Sequence, residues 1–276
     1  MPGQDMRWTH ADPGYVPPEV DTSKPSVARV YDAVLGGKDN FAADRAVLAL
    51  AQEAFPDGGQ AAHINRALLG RAVRYMAREG VSQFLDLGSG LPTVRNTHEI
   101  AQAVSPAARV VYVDNDPIVL AHGRALLAGD TSTLVVTADL LEPDVVMSTP
   151  EVGELLDLSR PVGLILNAVI HHVLDAEKPY DAVDRYKELL APGSYLLLTH
   201  FSNYSEEARG LEQVLLRKLG RGQLRNKEEI TRFFDGFDLV QPGIVHLPEW
   251  HPDEPVTYPL DISGLLYLGG LARKPE

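Results

Sequence analysis

Five short apolar stretches in this chain each run into polar residues that can hold or polarise a ligand. Phe84-Leu85 leads to Asp86, and then to Gly88, Ser89 and Gly90. Residues 109–113 lead to Asp114 and Asn115, with Asp114 lying 24 residues after Gly90. Residues 133–137 lead to Asp139 and Leu140, residues 162–166 to Asn167 and then His171-His172, and residues 195–199 to His200. Glycines separated by one residue allow positive φ and let a ligand approach without a Cβ in the way. An acid about 20 residues further on, closing the second stretch, suits bidentate hydrogen bonding to a ribose diol. Together these residue types predict a nucleoside site, with Asp139 at the base edge and the histidines beyond the reactive end.

Two cofactors combine a ribose with such a turn. Pyrophosphate binding favours Gly-x-Gly-x-x-Gly, because the backbone must approach the phosphates at a helix N-terminus. Here the third glycine position is Thr93. Asp86 would also set a negative charge against a pyrophosphate, whereas it suits an ammonium or sulfonium group. The turn is therefore expected to hold the methionyl part of S-adenosyl-L-methionine rather than NAD. Bland roles compete at two of these positions. Asp114 can cap the helix that Pro117 opens, and Asp139 can serve only its own turn.

His171, His172 and His200 are the candidate catalytic residues. One of them can line the acceptor pocket and act as a general base near neutral pH. The alternative for each is a hydrogen-bonded structural histidine. Adjacent histidines diverge and no third ligand is evident, so no metal is expected. Methyl transfer asks mainly for in-line positioning, so the lack of an obvious nucleophile does not count against an enzyme. After the fourth stretch the chain reads Asn167-Ala168-Val169-Ile170. Nucleic-acid amine methylases carry an Asn/Asp-Pro-Pro-Tyr pattern there, so a small-molecule acceptor is expected.

The elements that position these residues alternate. Strands are predicted at 83–87, 109–113, 133–137, 162–169, 195–199, 237–241 and 265–271. Helices intervene, including 94–104 opened by Pro92-Thr93, 118–128, 151–157, 181–190, 206–219 and 227–234. Strands two, four and five are continuous apolar runs, which marks parallel strands covered by helices on both faces. Repeated strand–helix units give an α/β, doubly wound sheet. Upstream, residues 1–24 read as an extended or disordered lead-in. Residues 25–80 read as a helical lid or cap, with helices at 25–35, 42–54 and 61–79, and residues 81–276 as the catalytic domain. The Gly36–Asn40 turn is expected to act as a lid element, with Arg29, Tyr31 and Asn40 supplying polar contacts to the cofactor. The alternative is a plain helix–helix connection. Asn65 and Arg66 are expected to face the same ligand.

Composition narrows the partners. A net charge of −13 argues against a nucleic acid held by many phosphate contacts. The absence of cysteine removes disulfides, thiolate nucleophiles and cysteine-ligated zinc. No leader-like apolar segment and no membrane-length apolar run occurs, so a cytoplasmic protein with no membrane partner is expected. A homodimer is compatible with these features.

The order Asp86-x-Gly88-x-Gly90, Asp114, Asp139, His171–Asp175 and Leu190–Ser194 resembles class I S-adenosylmethionine-dependent methyltransferases over about residues 83–200. Arg29–Asp32, Leu35–Phe41, Asn65–Ala67, Arg71–Tyr75, 84–92 and 111–117 further resemble an actinobacterial S-adenosyl methyltransferase family formerly described only as a domain of unknown function. The resemblance implies a Rossmann-like, seven-stranded, mostly parallel sheet with an antiparallel last strand. It implies S-adenosyl-L-methionine as cofactor and leaves the acceptor unnamed. Pro92 stands where many class I enzymes have a third glycine, which predicts an altered helix start. The alternatives are a non-catalytic S-adenosylmethionine-binding or regulatory protein and a nicotinamide-dependent oxidoreductase.

Overall fold

The computed structural model describes residues 20–92, 95–127 and 130–276. Helices α1 (Val27–Val34), α2 (Ala42–Ala54) and α3 (Gly58–Arg78) precede β1 (Gln83–Leu87). Then come α4 (Thr97–Val104), β2 (Arg109–Asp114), α5 (Pro117–Leu126), β3 (Thr133–Thr137), α6 (Pro143–Ser148), α7 (Pro150–Leu155) and β4 (Gly163–Asn167). The chain continues through α8 (Pro179–Leu189), β5 (Tyr195–Phe201), α9 (Glu206–Leu219), α10 (Lys227–Thr231), β6 (Asp238–Leu239) and β7 (Val245–His246). It closes with α11 (Ile262–Leu266) and β8 (Tyr267–Arg273).

The sheet order is β3-β2-β1-β4-β5-β8-β6, with β7 also pairing β8. Strands β1 to β5 are parallel and β8 runs antiparallel beside β5. Chain direction across the sheet reverses between β1 and β4, which opens a crevice at their carboxyl ends. Side chains alternate between two apolar layers, as the pleat requires. Phe84, Val110, Ile165, Leu197 and Leu271 pack with Leu68, Val73 and Met76 of α3. Leu85, Val111, Leu164 and Leu196 pack on the other face with Val146, Val152 and Val183 of α6, α7 and α8. Every residue of β1 and β5 is buried, so their apolar residues run on both faces of the sheet, and the polar ones, Gln83, Asp86, Thr199 and His200, are buried with them. Among the described residues, no helix is long and apolar enough to cross a membrane.

Several predicted boundaries move. The single strand expected over 237–241 is two residues long, and a further short strand, β7, makes eight in all. Pro242 and Gly243 interrupt the chain there, and the pieces before and after them both pair with β8; Pro242 cannot donate to a ladder. The helix expected over 151–157 is α7, which begins at Pro150 and ends at Leu155, and a further short helix, α6, precedes it. The helix expected from Val94 begins at Thr97, where the Glu99 side chain accepts a 2.7 Å hydrogen bond from the Asn96 N–H. Gly90 and Arg95 both have positive φ (66° and 61°), so helical backbone cannot start between them and the strand. The proposed start at Thr93–Val94 lies outside the described residues, as does residues 1–19 of the lead-in.

Candidate functional site

The carboxyl ends of β1, β2 and β4 border a cavity of about 320 Å³. The turn after β1 is stitched to the end of β2. The N–H groups of Gly88 and Ser89 donate to Val113 O at 2.8 and 3.2 Å. Gly88 has φ +65°, and a Cβ there would collide with Val169 Cγ2. Gly90 has φ +66°, and a Cβ there would meet no protein atom within 4 Å. The first glycine is thus fixed by backbone and packing, the second by backbone beside open space.

Asp114 is fixed from both sides. Its Oδ2 accepts from Gly90 N–H at 2.8 Å and its Oδ1 from Asp116 N–H at 2.9 Å. The helix-capping alternative falls to Asp116, whose Oδ1 accepts from Ile118 N–H at 3.0 Å. Burial pushes the Asp114 carboxyl above its ordinary value, against the backbone N–H groups that favour its charge. Asp86 is 6% exposed and also faces the cavity. Its Oδ2 accepts from Thr97 Oγ1 at 2.7 Å. Burial drives its pKa up to about 6, while Thr97 and the nearby Arg66 guanidinium oppose the rise. A buried carboxylate beside open space is a site for a cationic ligand group. At the far side of β2, Asn115, Asp139 and Leu140 line the cavity, and Asp139 Oδ1 accepts from Leu141 N–H at 2.9 Å. Asp139 therefore shapes its turn and borders the cavity at once.

Past β4, Asn167 lines the cavity and Ala168 adopts φ +59°. That conformation costs an alanine roughly 1–2 kcal/mol and needs support. The support comes from Thr199 of β5, whose Oγ1 accepts from Ala168 N–H at 2.8 Å. The same hydroxyl donates to Asn65 Oδ1 at 2.8 Å and lies 3.3 Å from Asn167 Oδ1. Asn65 Nδ2 in turn donates to Tyr31 Oη at 3.3 Å. One buried polar chain thus connects α1, α3, β5 and the end of β4, and Tyr31 at its end lines the cavity. Sequence pattern alone missed this role of Thr199. Asn65, expected to face the ligand, does not line the cavity; the tertiary fold sets it against Thr199 of β5 instead.

The histidines separate. His172 lines the cavity, and its Nδ1 is buried with no hydrogen-bond partner among the described residues. Burial pulls its pKa down to about 4, helped by Arg221. His171 and His200 do not line the cavity, contrary to the sequence expectation. Residues 170–172 form a tight 3-10 turn, so neighbouring side chains diverge. His171 turns inward and stacks on Phe201, with ring centroids 3.8 Å apart. His200 sits in fully buried β5. Arg225 Nη1 can only donate, so His200 Nε2 accepts at 2.7 Å and His200 Nδ1–H donates to Phe201 O at 2.7 Å. Its pKa is pulled to about 3 by burial and by Arg225. In this geometry His171 is a packing residue, its Nδ1 without a partner among the described residues, and His200 is a hydrogen-bonding one.

The predicted cap contacts separate too. Ser26, Val27 and Tyr31 line the cavity, but Arg29 and Asn40 do not. Arg29 is buried in an ion pair with Asp44 at 3.3 Å and donates to Lys24 O at 2.5 Å. A buried guanidinium needs a carboxylate, and Asp44 claims it. Asn40 Nδ2 donates to Asp32 Oδ2 at 2.8 Å, alongside Asp39 N–H at 2.9 Å. These residues brace the 36–40 turn instead of reaching a ligand. Arg66 does line the cavity, next to Asp86 and the glycine turn, and also donates to Arg95 O at 2.7 Å.

The donor set fits S-adenosyl-L-methionine. A buried acid and a guanidinium flank the glycine turn, a backbone-fixed carboxylate sits at the ribose position, and open space lies over Gly90. The same acid opposes a pyrophosphate. The family model described as S-adenosyl methyltransferase matches residues 14–275. A methyltransferase from Thermobifida fusca, assigned that role provisionally, superposes with a TM-score of 0.91 at 47% identity, covering 95% of this chain and 100% of its own. A DUF574 family protein from Streptomyces avermitilis gives 0.88 at 39% identity, covering 92% and 99%. The methyltransferase CalH, solved with S-adenosylhomocysteine, gives 0.51 at 17% identity over 89% of this chain and 66% of its own, a likeness of fold. No curated protein matches. The chain belongs to the S-adenosyl methyltransferase family, with the Rossmann-like fold and S-adenosyl-L-methionine dependence of that family.

Proposed function

We propose that this enzyme methylates a small-molecule acceptor bound beside Tyr31, Asn167 and His172. The observation that carries this reading is the continuity of the cavity. It runs from the acids of β1 to β3 past the end of β4 to His172, Val173 and Leu219. The bound cofactor supplies an electrophilic methyl group on a sulfonium. Asp86 and Arg66 are placed to hold the charged methionyl end, Asp114 the ribose diol, and Asp139 with Leu140 the base. Ser26, Val27 and Tyr31 cover the cavity from the N-terminal helical segment, which acts as the cap over residues 81–276. The Thr199–Asn65–Tyr31 chain keeps that cover in register with the end of β4.

His172 takes a different part from the general base expected of it. A ring with a pKa near 4 is neutral at pH 7 and a weak proton acceptor. It borders the acceptor as a neutral ring, and the nucleophile brings its own lone pair or arrives deprotonated. A walled cavity and a net charge of −13 favour a small molecule over a nucleic acid. Calorimetric titration tests the cofactor assignment: S-adenosylmethionine and S-adenosylhomocysteine bind, NAD does not. Failure of both adenosyl ligands to bind overturns the reading. Formation of S-adenosylhomocysteine with methyl-labelled cofactor and a metabolite panel then tests turnover.

A further inference from the structure

Charge is segregated along the cavity. The carboxylates that line it, Asp86, Asp114, Asp116 and Asp139, all follow β1, β2 or β3. Beyond β4, no carboxylate lines it among the described residues, and the charged residue there is Arg221. Arg221 follows the end of α9, where Gly220 turns the chain at φ +66°. Its Nη1 lies 3.2 Å from Glu177 Oε1 and 3.4 Å from His172 O. Its Nε and Nη2 make no hydrogen bond among the described residues. That pair is one edge of a planar guanidinium, spaced to meet two oxygens of a carboxylate or phosphate side by side. The apolar residues beside it are Leu219 and Val173. Arg66 is too near Asp86 and the glycine turn to serve this end, and the methionyl carboxylate of the cofactor falls to it.

We infer that the methyl acceptor carries a carboxylate or phosphate group that docks on Arg221, which makes Arg221 a specificity-determining residue. This rests on the methyltransferase assignment of the cavity. The anion is an anchor: it sets the acceptor's distance from the cofactor end, while the apolar residues hold the body of the molecule. The chemistry also explains how a protein of net charge −13 admits an anion, because the charged residue lining that end among the described residues, Arg221, is positive and keeps one guanidinium edge clear of its Glu177 partner.

The test uses the full chain saturated with S-adenosylhomocysteine, titrated calorimetrically with benzoate and phenyl phosphate. Benzamide and benzyl alcohol serve as neutral counterparts. At least one anionic probe is expected to bind about tenfold or more tightly than the neutral probes. Whether benzoate or phenyl phosphate is preferred assigns the anion as carboxylate or phosphate. Arg221→Gln removes the preference and leaves S-adenosylhomocysteine affinity unchanged, and Arg221→Lys retains part of it. Equal binding of anionic and neutral probes overturns the inference, as does binding of none of them or a preference that survives Arg221→Gln. If S-adenosylhomocysteine itself does not bind, the cofactor assignment fails, and that result is distinguishable from the failure of this one.

Discussion

Asp86 ties cofactor affinity to pH in a way that can be worked out from the structure. Its carboxyl is 6% exposed and titrates near 6 in the free protein, with burial as the largest cause. A cationic ligand group binds the ionised form. Affinity therefore rises as pH rises through about 6 and levels off above it. With a single titrating site, the apparent Kd scales as one plus the ratio of protonated to ionised carboxyl. At pH 5 that factor is about 11 and at pH 8 it is close to one, so affinity falls about tenfold, or about 1.4 kcal/mol. Titrating S-adenosylhomocysteine by calorimetry from pH 5 to pH 8 measures this. Proton release on binding near pH 6, seen as a dependence on buffer ionisation heat, is the second signature. Asp86→Asn should bind weakly at every pH and lose most of the slope, with a smaller residual slope from Asp114 at lower pH. The apo protein should respond in the opposite sense. A folded pKa raised above the ordinary 3.8 means that protonation stabilises the fold; this contribution is complete below about pH 4 and lost as pH rises through 6. The shift corresponds to about 3 kcal/mol, so Asp86→Asn should raise the apo melting temperature at pH 7 while weakening the cofactor. Affinity that is flat from pH 5 to 7, or an unchanged slope in Asp86→Asn, refutes the reasoning.

Five further substitutions separate roles that lie close together. Asp114→Ala removes the backbone-fixed carboxylate and should weaken S-adenosylhomocysteine by about a hundredfold, because hydrogen bonds to a charged group carry about 1.5–3 kcal/mol each; an unchanged Kd removes its ribose assignment. Gly88→Ala should lower the melting temperature more than Gly90→Ala, since both meet the left-handed penalty of about 1–2 kcal/mol but only Gly88 also meets Val169. Equal shifts would show that the Val169 contact relaxes freely. His200→Ala leaves the buried Arg225 without one partner and should cost about 1–3 kcal/mol in denaturant unfolding, whereas His172→Ala should lower turnover with little loss of stability. The reverse pattern would return His200 to the catalytic machinery.

The cofactor half of the site was legible because its chemistry is local. Asp86, Gly88 and Gly90 lie within five residues, and Asp114 and Asp139 each close a strand whose apolar run marks its end. In a parallel sheet those ends share one edge, so pattern translates directly into place. The acceptor half was not legible for the opposite reason. Whether His171 or His172 faces the cavity depends on the sense of a single 3-10 turn. His200 is turned away by Arg225, 25 residues further along. Arg29 looked like a ligand contact until Asp44 supplied its ion pair. Arg221 carries no sequence signal, since it follows a helix whose packing against α2 brings it to the site. The antiparallel β8 beside β5 agrees with the family resemblance, while the breakup of residues 237–246 into two short strands depends on how both pair with β8.

The hydrogen bond from Thr199 to Asn65 spans 134 residues, and it has a consequence for how the protein comes off the ribosome. The Tyr31 and Asn65 side of the cavity is synthesised first, yet its partner in β5 appears only after four strands have been made. Arg71 waits longer still, because its guanidinium donates to Leu247 O and Trp250 O, the latter 179 residues downstream. Such distant closures are slow, since loop entropy is lost before the contact is gained. The nascent helices α1 to α3 therefore expose apolar faces, among them Leu68, Val73 and Met76, until the sheet arrives to cover them. During that interval the exposed apolar faces make the chain prone to aggregation. The cofactor cannot template α1 to α3 as they emerge, because the acids that would hold it, Asp86, Asp114 and Asp139, all lie further along the chain.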